Sequence, residues 1–511
     1  MGLLILFVSA VTLGDEITSV QRGDWNSPST WSTGTVPTGA DNVTISLPDT
    51  VTIDTTVVDT SRFIACNNLT VRGMLRLSSS IGMNLTVNGN IAVESGGTFR
   101  VLSNTIGGNL VHTITLYGNV TNNGTFDLKN GSANATLSIC NTVFTGPNNS
   151  IVTMNGGYLT TNNEFGGVRI EKSGTARIIL ASNMYMPSGS SAVTTPGGNP
   201  ILTFVHGLVE TDTFALIHLW TSSSGVTGAS DSSYILGNMG RGLTTTGTTT
   251  DRIFNVGDAT GYRPVRARAI STGNATGHYM RAEIVNEPAN TGSSALNGSI
   301  DKVWDVRYYK LSYHSGGVGA SQMTFDRFSV SYRRNEGVAA GNTNLRVAYS
   351  TDGRATWNGQ GPTINVHTTS LDTVPRYIVC DSLTGGLVIT DGSAMYVTLA
   401  RLSGTSENSL VLEPEGVRQV SDVPAAYSLT ANYPNPFNPS TTFDYTLPVG
   451  GNVMVRVFNV LGQLVATPVN EHQTPGYYRV EFDASDLPSG VYLYRIESGS
   501  FLQTRRMVLV K

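Results

Sequence analysis

From Val43 to about Val193 the chain runs in short stretches that alternate apolar and polar residues and break at Gly or Asn. Three blocks lie over one another: NNLTVRGMLRLSS (67 to 79), NLTVNGNIAVESGGTFRV (84 to 101) and ITLYGNVTNNGTFDLKN (114 to 130). Each spaces its apolar residues two apart, as in Leu69, Val71, Leu75 and Leu77, or Leu116, Val120, Phe126 and Leu128. Glycines recur at matching places, Gly73, Gly89 and Gly118, then Gly97 and Gly124. A period of two predicts half-buried strands, and self-similar blocks of about 20 to 30 residues predict a solenoid. The expected architecture over 15–200 is a parallel β-helix-like solenoid with an N-terminal cap, an ordinary β-sandwich being the alternative. Each rung would bury its row of side chains against its neighbours. Trp25 and Trp31 are expected to plug the open end.

Beyond the repeats, residues 201–270 read as the solenoid's end and a connecting β segment, with Thr244 to Thr250 the expected exposed loop. From 271 to 402 the strands lengthen (HYMRAEIVN, KVWDVRYYKLSY, FDRFSVSYRR, AMYVTLARL), which predicts a middle antiparallel β-sandwich. Residues 403–426, with Glu407, Glu413, Glu415, Pro414 and Pro424, read as a linker. Over 427–511 the alternation of Phe443, Tyr445 and Leu447, of Val453, Val455 and Val457, of Tyr492, Tyr494 and Ile496, and of Met507 and Leu509 predicts a small Ig-like β-sandwich. Gly462 and Gly490 are placed in hairpin turns that need a left-handed backbone. The predicted class is all-β.

Composition narrows the function classes. Only 13% of the 511 residues are charged, 39% are hydrophobic, 56 are glycine and the formal net charge is −4. This excludes a disordered chain and argues against a nucleic-acid partner, which would show a basic face. The three cysteines, Cys66, Cys140 and Cys380, are too scattered for a disulfide framework. They read as small buried apolar side chains, with a Cys66–Cys140 bridge open if stacked rungs bring the two together. The apolar run Leu3 to Leu13, stopping at Gly14-Asp15, is too short to span a bilayer. It matches the apolar core of a signal peptide over residues 1–14, although no Lys or Arg precedes Arg22.

No catalytic, cofactor-binding or metal-binding residue stands out. The solenoid's carboxylates (Asp41, Asp49, Asp54, Asp59, Glu94, Asp127, Glu164, Glu171) are spread out, and only Asp54 and Asp59 are expected to face one way. The seven histidines form no close pair of the kind zinc sites use. Ser350-Thr351-Asp352-Gly353-Arg354-Ala355-Thr356-Trp357 is similar to the Asp-box of sialidase-like propellers, with Arg354 where a glycine is expected; a single copy predicts a structural hairpin. Arg22-Gly23-Asp24 spells an integrin-recognition tripeptide and equally a turn before Trp25. The Asn-x-Ser/Thr sequons at Asn68, Asn84, Asn119 and Asn123 follow from Asn- and Thr-rich turns.

Three resemblances add to this reading. GDWNSPSTWSTGTVPTGADNVTI (23 to 45) resembles the opening of many bacterial surface proteins and the eight-glycine extracellular module. The chain end carries YPNPFNPSTTFDYTLP (433 to 448), then VMVRVFNVLGQLV, then LPSGVYLYRIESGSFLQTRRMVLVK. It resembles the type A C-terminal sorting domain of the type IX secretion system, over 427–511. The matching positions are Pro434, Asn435 and Pro436, the strand start through Gly490 and Tyr492, and the basic-apolar end with Arg505, Arg506 and Lys511. The resemblance implies export through an outer-membrane translocon, then in many members removal by a sortase-like peptidase and linkage to surface lipopolysaccharide. Residues 201–270, with a Ser-Tyr-x-x-Gly turn and a later Gly-Asp…Tyr-Arg-Pro element, resemble a segment of type IX-secreted surface proteins.

The expected protein is therefore secreted or on the outer cell surface, reached through the periplasm. Its passenger is expected to be a non-enzymatic structural, adhesion or extracellular glycan-binding β protein. The alternative is a polysaccharide lyase or glycoside hydrolase working on the solenoid face. A groove lined by two carboxylates and an Arg or Lys would favour the enzyme, and a smooth Thr/Asn face the binding protein.

Overall fold

The structure is a computed structural model that describes residues 14–511 apart from 55–62, 108, 131–136, 157–162, 188–200, 222–224, 244–250, 273–277, 316–321, 333–343, 361–375, 381, 384, 405–426, 431, 433, 474–475 and 500. All but Gly14 of the expected signal peptide, the 244–250 loop, Asp59 and nearly all of the expected linker lie outside the described residues. The chain forms two compact units, Met1–Leu412 and Glu413–Lys511. It is all-β, with a short 3-10 turn at Pro28–Thr30.

The alternating stretches stack as parallel rungs. One face runs in order through Glu16–Thr18, Asn42–Ile45, Leu69–Val71, Ile91–Val93, Val120–Asn122, Ser150–Met154, Arg177–Leu180, Leu208–Glu210, Ile235–Leu236 and Val256–Asp258. A second stacks Gly23–Asp24, Thr50–Ile53, Met74–Leu77, Thr98–Val101 and Thr125–Asp127; a third runs from Phe63–Cys66 to Val226–Thr227. Like residues therefore sit above like. Val51 pairs with Leu75, Leu75 with Phe99 and Phe99 with Phe126, all fully buried. The Phe99 and Phe126 rings meet edge to face at 5.6 Å, and Phe165 continues the stack at 5.0 Å. Each such buried side chain stabilises by roughly 1.5–3 kcal/mol, but only once the next rung covers it. Trp25 and Trp31 lie edge to face at 5.1 Å and are buried with the first rungs, Trp31 Nε1 donating to Trp25 O.

The corners explain the glycines and asparagines. A Cβ on Gly97 would stand 2.1 Å from Val71 O, on Gly118 2.3 Å from Gly89 O, and on Gly124 2.3 Å from Gly97 O. None of these three has a left-handed backbone, so they recur for close approach between rungs. Beside them runs an asparagine ladder. Asn42 Oδ1 accepts from Asn68 Nδ2 at 2.8 Å, Asn68 Oδ1 from Asn90 N at 2.8 Å, Asn90 Oδ1 from Asn119 N at 2.9 Å, and Asn119 Oδ1 from Ile151 N at 2.7 Å. Each rung satisfies corner backbone donors of the next, which strand pairing cannot reach.

Cys66 and Cys140 are both free and buried. Cys66 heads the column Val87, Leu116 and Phe144, whereas Cys140 pairs with His112 four residues earlier on the same strand as Phe144. Different columns and two intervening rungs keep the thiols apart, so the bridge left open from sequence does not form. Burial pushes the Cys66 thiol up to about 12.

Parallel rungs continue through 201–258, and there the solenoid changes character. Met184–Met186, Leu216–His218 and Asn238–Gly242 pair in parallel, and Asn238–Gly242 then pairs antiparallel with Tyr279–Val285. The same sheet runs on through Tyr308–His314, Ala394–Leu402 and Leu345–Ser350. A second sheet of Arg252–Phe254, Val265–Thr272, Gln322–Tyr332 and Arg376–Val379 accompanies it. Solenoid and middle sheets thus belong to one compact unit with one principal core. The junction holds the Ser-Tyr-x-x-Gly and Gly-Asp…Tyr-Arg-Pro elements together. Tyr234 hydroxyl donates to Asp258 O at 2.6 Å, and the Asp258 carboxylate receives Arg307 at 2.8 Å in a buried ion pair. Burial works to raise the Asp258 carboxyl, but Arg307 and the Thr260 hydrogen bonds outweigh it and hold it below its usual range.

One buried histidine ties solenoid stability to pH. His112 Nδ1 accepts the Met83 N–H at 3.1 Å, so that nitrogen must be unprotonated, while Nε2 faces Ser138 Oγ at 3.3 Å. Burial lowers its pKa from 6.5 to about 4. A lowered folded value means stability is complete above pH 6.5 and is lost as pH falls toward 4. The linkage amounts to about 2 kcal/mol by pH 5. Burial lowers His278 and His314 in the same direction. Thermal unfolding of the full chain should therefore show a first-unit midpoint that drops between pH 7 and 5. His112→Gln, which keeps an acceptor for Met83, should show a visibly shallower drop.

Candidate functional site

The second unit is a two-sheet antiparallel sandwich. Ser428–Leu429, Ser440–Leu447 and Gly476–Asp483 form one sheet; Leu464–Gln473, Gly451–Asn459, Gly490–Ser498 and Phe501–Leu509 form the other, in that order. The alternating residues read from sequence meet between them, with Phe443, Tyr445, Leu447, Val453, Val455, Val457, Tyr494, Ile496, Met507 and Leu509 all buried.

The positions singled out at the two ends of this segment converge. Asn435 Oδ1 accepts the Val508 N–H at 2.9 Å, and its Nδ2 donates to Arg506 O at 3.4 Å. Phe437 then bridges Leu509 in parallel, its N–H reaching Val508 O at 2.9 Å while Val510 N–H returns to Phe437 O at 3.0 Å. Behind the lead-in, Thr441 Oγ1 donates to Pro434 O at 2.8 Å and Asn432 Nδ2 to the same oxygen at 3.1 Å. The Pro-Asn-Pro lead-in therefore latches the last strand along its free edge. Pro434, Asn435 and Pro436 are exposed while Phe437 is buried. The prolines remove donors that an incoming edge strand would need.

The other marked residues close the same end. Lys511 N donates to Ser489 Oγ at 2.9 Å and its ammonium reaches Ser485 O, so Lys511 is tied to the turn that precedes Gly490. Tyr492 is buried, its hydroxyl bonding Pro488 O at 2.7 Å. Arg505 Nε reaches Leu429 O at 2.7 Å, and Arg506 is exposed. Gly490 differs from expectation. Gly462 is left-handed at φ 78, but Gly490 is not, because it is the first residue of an extended strand rather than a turn residue. Sequence reasoning did not single out Asn432 and Thr441, whose latching role depends on contacts across the sandwich that no local pattern encodes.

On the first unit the solenoid's second face carries an outward row in register: Asp24, Thr52, Arg76, Arg100 and Asp127. At its start lies a groove of about 350 Å³ lined by Arg22, Asp24, Thr52, Asp54, Arg76 and Ser79, among others. Arg76 Nε donates to Thr52 Oγ1 at 2.8 Å and Ser78 Oγ to Asp54 at 3.0 Å. Burial raises the Asp24 carboxyl above its usual range, against N–H bonds from Asn26 and Asp54 that pull it down; the Asp54 charge adds to the rise. Burial and the nearby Arg22 and Arg100 lower Arg76. Other solenoid carboxylates are occupied locally. Asp41 accepts from Asp15 N and Thr38, Asp49 from Ser19, and Glu94 and Glu171 pair with Arg72 and Arg169. Gly23–Asp24 is a short strand paired with Val51–Thr52, so the Arg-Gly-Asp tripeptide is not a projecting loop.

The Asp352 box is a hairpin. Asp352 Oδ1 accepts from Ser350 Oγ at 2.8 Å and Thr356 N at 2.9 Å, and Trp357 is buried with Nε1 on Ala289 O. Arg354 takes a left-handed backbone at φ 75, where glycine would be unstrained, and lays its guanidinium over the Tyr308 ring at 4.4 Å. Among the described residues no three of His, Cys, Asp or Glu gather as a metal-holding group.

Comparison with known families agrees with both ends of the chain. Residues 431–511 match the secretion system C-terminal sorting domain, and residues 30–160 match the G8 domain. No curated protein and no solved structure matches the chain. The sorting tail marks a secreted or cell-surface protein that meets the type IX secretion machinery. The G8 match runs from the Trp31 cap through the first rungs, well past the 23–45 stretch that pointed to it.

If Asn435 is the latch, Asn435→Ala should free the Val508 amide. Hydrogen exchange at Val508 should speed up markedly, with a loss of about 1 kcal/mol in the tail's own unfolding. Asn435→Asp, which keeps the acceptor, should restore most of the protection.

Proposed function

We propose that this is a surface protein exported by type IX secretion through residues 427–511, with a passenger that binds extracellular glycan rather than cleaving it. What carries the export reading is the sorting-domain match on a unit that is compact by itself. The tail is read as an Ig-like sandwich. Pro434, Asn435, Pro436, Gly490, Tyr492, Arg505, Arg506 and Lys511 build the signal end of that sandwich. A sortase-like peptidase and surface lipopolysaccharide are the partners expected after export, and 1–14 the signal that brings the chain to the periplasm.

For the passenger, the groove at Arg22, Asp24, Asp54 and Arg76 supports a carbohydrate ligand. Its guanidinium groups suit a sugar carboxylate, and its carboxylates and the Thr52 and Ser79 hydroxyls suit sugar hydroxyls. The same pair of carboxylates favours, as a second reading, hydrolysis or lyase cleavage at this groove. Asp24 held above its usual range would be the proton donor. Binding is preferred because Asp24 and Asp54 already hold Asn26 N and Ser78 Oγ as part of the rung geometry.

Export is tested in the native cell by fractionation. The full chain should reach the surface and a chain lacking 427–511 should accumulate in the periplasm; equal surface display of both refutes the reading. For the groove, purified protein titrated with polygalacturonate should bind, and Arg76→Ala should weaken binding at least tenfold without releasing reducing ends. Release of reducing ends that stops with Asp24→Asn would instead establish the enzymatic reading.

A further inference from the structure

More than half of the exposed large apolar side chains of the described chain lie in its last 85 residues. They are not scattered. Strand register sets Leu464 beside Phe458, Phe458 beside Leu493, and Val491 beside Val508 on the outward face of the four-stranded sheet. The turn between the first two strands extends this stripe with Val460 and Leu461, 71% and 79% exposed. A monomeric surface has no reason to gather its apolar residues in one stripe unless something covers them.

The stripe has a charged rim of one sign. Arg506 stands opposite Leu493 in the register. Arg456 and Arg495 both pair with Glu497, two guanidinium groups for one carboxylate, and both lie over the Phe458 ring, at 5.9 and 5.0 Å. The rim is therefore net positive and suits an apolar partner surface edged with carboxylates. The stripe also adjoins the signal end. Gly490 begins the strand that carries Val491 and Leu493, and Arg506 and Val508 lie on the strand latched by Asn435.

We propose that this stripe, Phe458, Val460, Leu461, Leu464 and Leu493 with Arg506 at its rim, is the surface by which the outer-membrane secretion machinery grips the tail. The latch and the turn before Gly490 shape it without forming the contact. This rests on the export reading of the tail and adds where the grip falls. A second copy of the chain is the competing occupant, and the translocon is favoured because two like stripes would face each other with the same positive rims.

The test uses the full-length chain in the native exporting cell, with three variants beside it. Leu461→Ser/Leu493→Ser removes apolar surface that no core residue depends on. Arg506→Glu reverses the rim without altering the backbone carbonyl that Asn435 uses. The third variant lacks 427–511. Both substituted chains should keep the wild-type tail unfolding midpoint and lose at least tenfold in surface display, accumulating in the periplasm as the tail-less chain does. Should the double variant lose its fold, Arg506→Glu alone decides. Normal display of the folded substituted chains while the tail-less chain is blocked overturns the stripe and leaves the export reading standing. Normal display of the tail-less chain overturns both. A wild-type dimer that the double variant converts to a normally exported monomer assigns the stripe to self-association and overturns the proposal.

Discussion

Every rung of the first unit depends on how closely its corners approach the rung before. Corner carbonyls come so near the next corner that Gly97, Gly118 and Gly124 leave no space for a Cβ, and that closeness lets one asparagine's Oδ1 reach the next rung's amide. With the spacing fixed, side chains can only stack in register, and the Val51 to Phe126 column follows. The sparsity of charge has the same root. An interior built of repeated columns has no place where one ionised side chain meets a partner of opposite sign without interrupting the stack. Outward rows have no such limit, so Asp24, Arg76, Arg100 and Asp127 gather there.

Where the stacking stops, it is relieved by pairing rather than by a cap. The strand Asn238–Gly242 has a parallel neighbour on one edge and an antiparallel one on the other, so a single sheet carries the solenoid into the middle region. The buried Arg307–Asp258 pair and the Tyr234 hydroxyl lock the residues on either side of that change. Removing either ion would strand the other in a low-dielectric setting, which makes the junction a cooperative hinge point of stability rather than a flexible connector.

Much of this was legible in the sequence and the rest was not, for definable reasons. Period-two alternation exposes which residues face inward, and it located the rungs and nearly all of the tail's core, since one sheet face is always dry. It does not say how far a solenoid runs. The rungs of 201–258 have strands as short as Ile235–Leu236, too brief to alternate, and they read as a connector. Asparagine ladders are invisible for another reason. Asn at a turn has the same local logic whether its side chain bonds its own loop or the rung above. Gly490 was misplaced because glycine marks turns and strand starts alike. Both ends of the tail were marked by their motifs, but the geometry that joins them links residues some 70 positions apart, Asn435 to Val508, and no window of sequence contains both.

The latch at Asn435 has a consequence for folding. Its partners are Arg506 and Val508, and Lys511 closes onto Ser485 and Ser489. A tail in which 506–510 have not yet paired leaves the lead-in with nothing to hold. The exposed Pro-Asn-Pro segment therefore takes its shape only when the sandwich has closed, so that shape reports a finished fold.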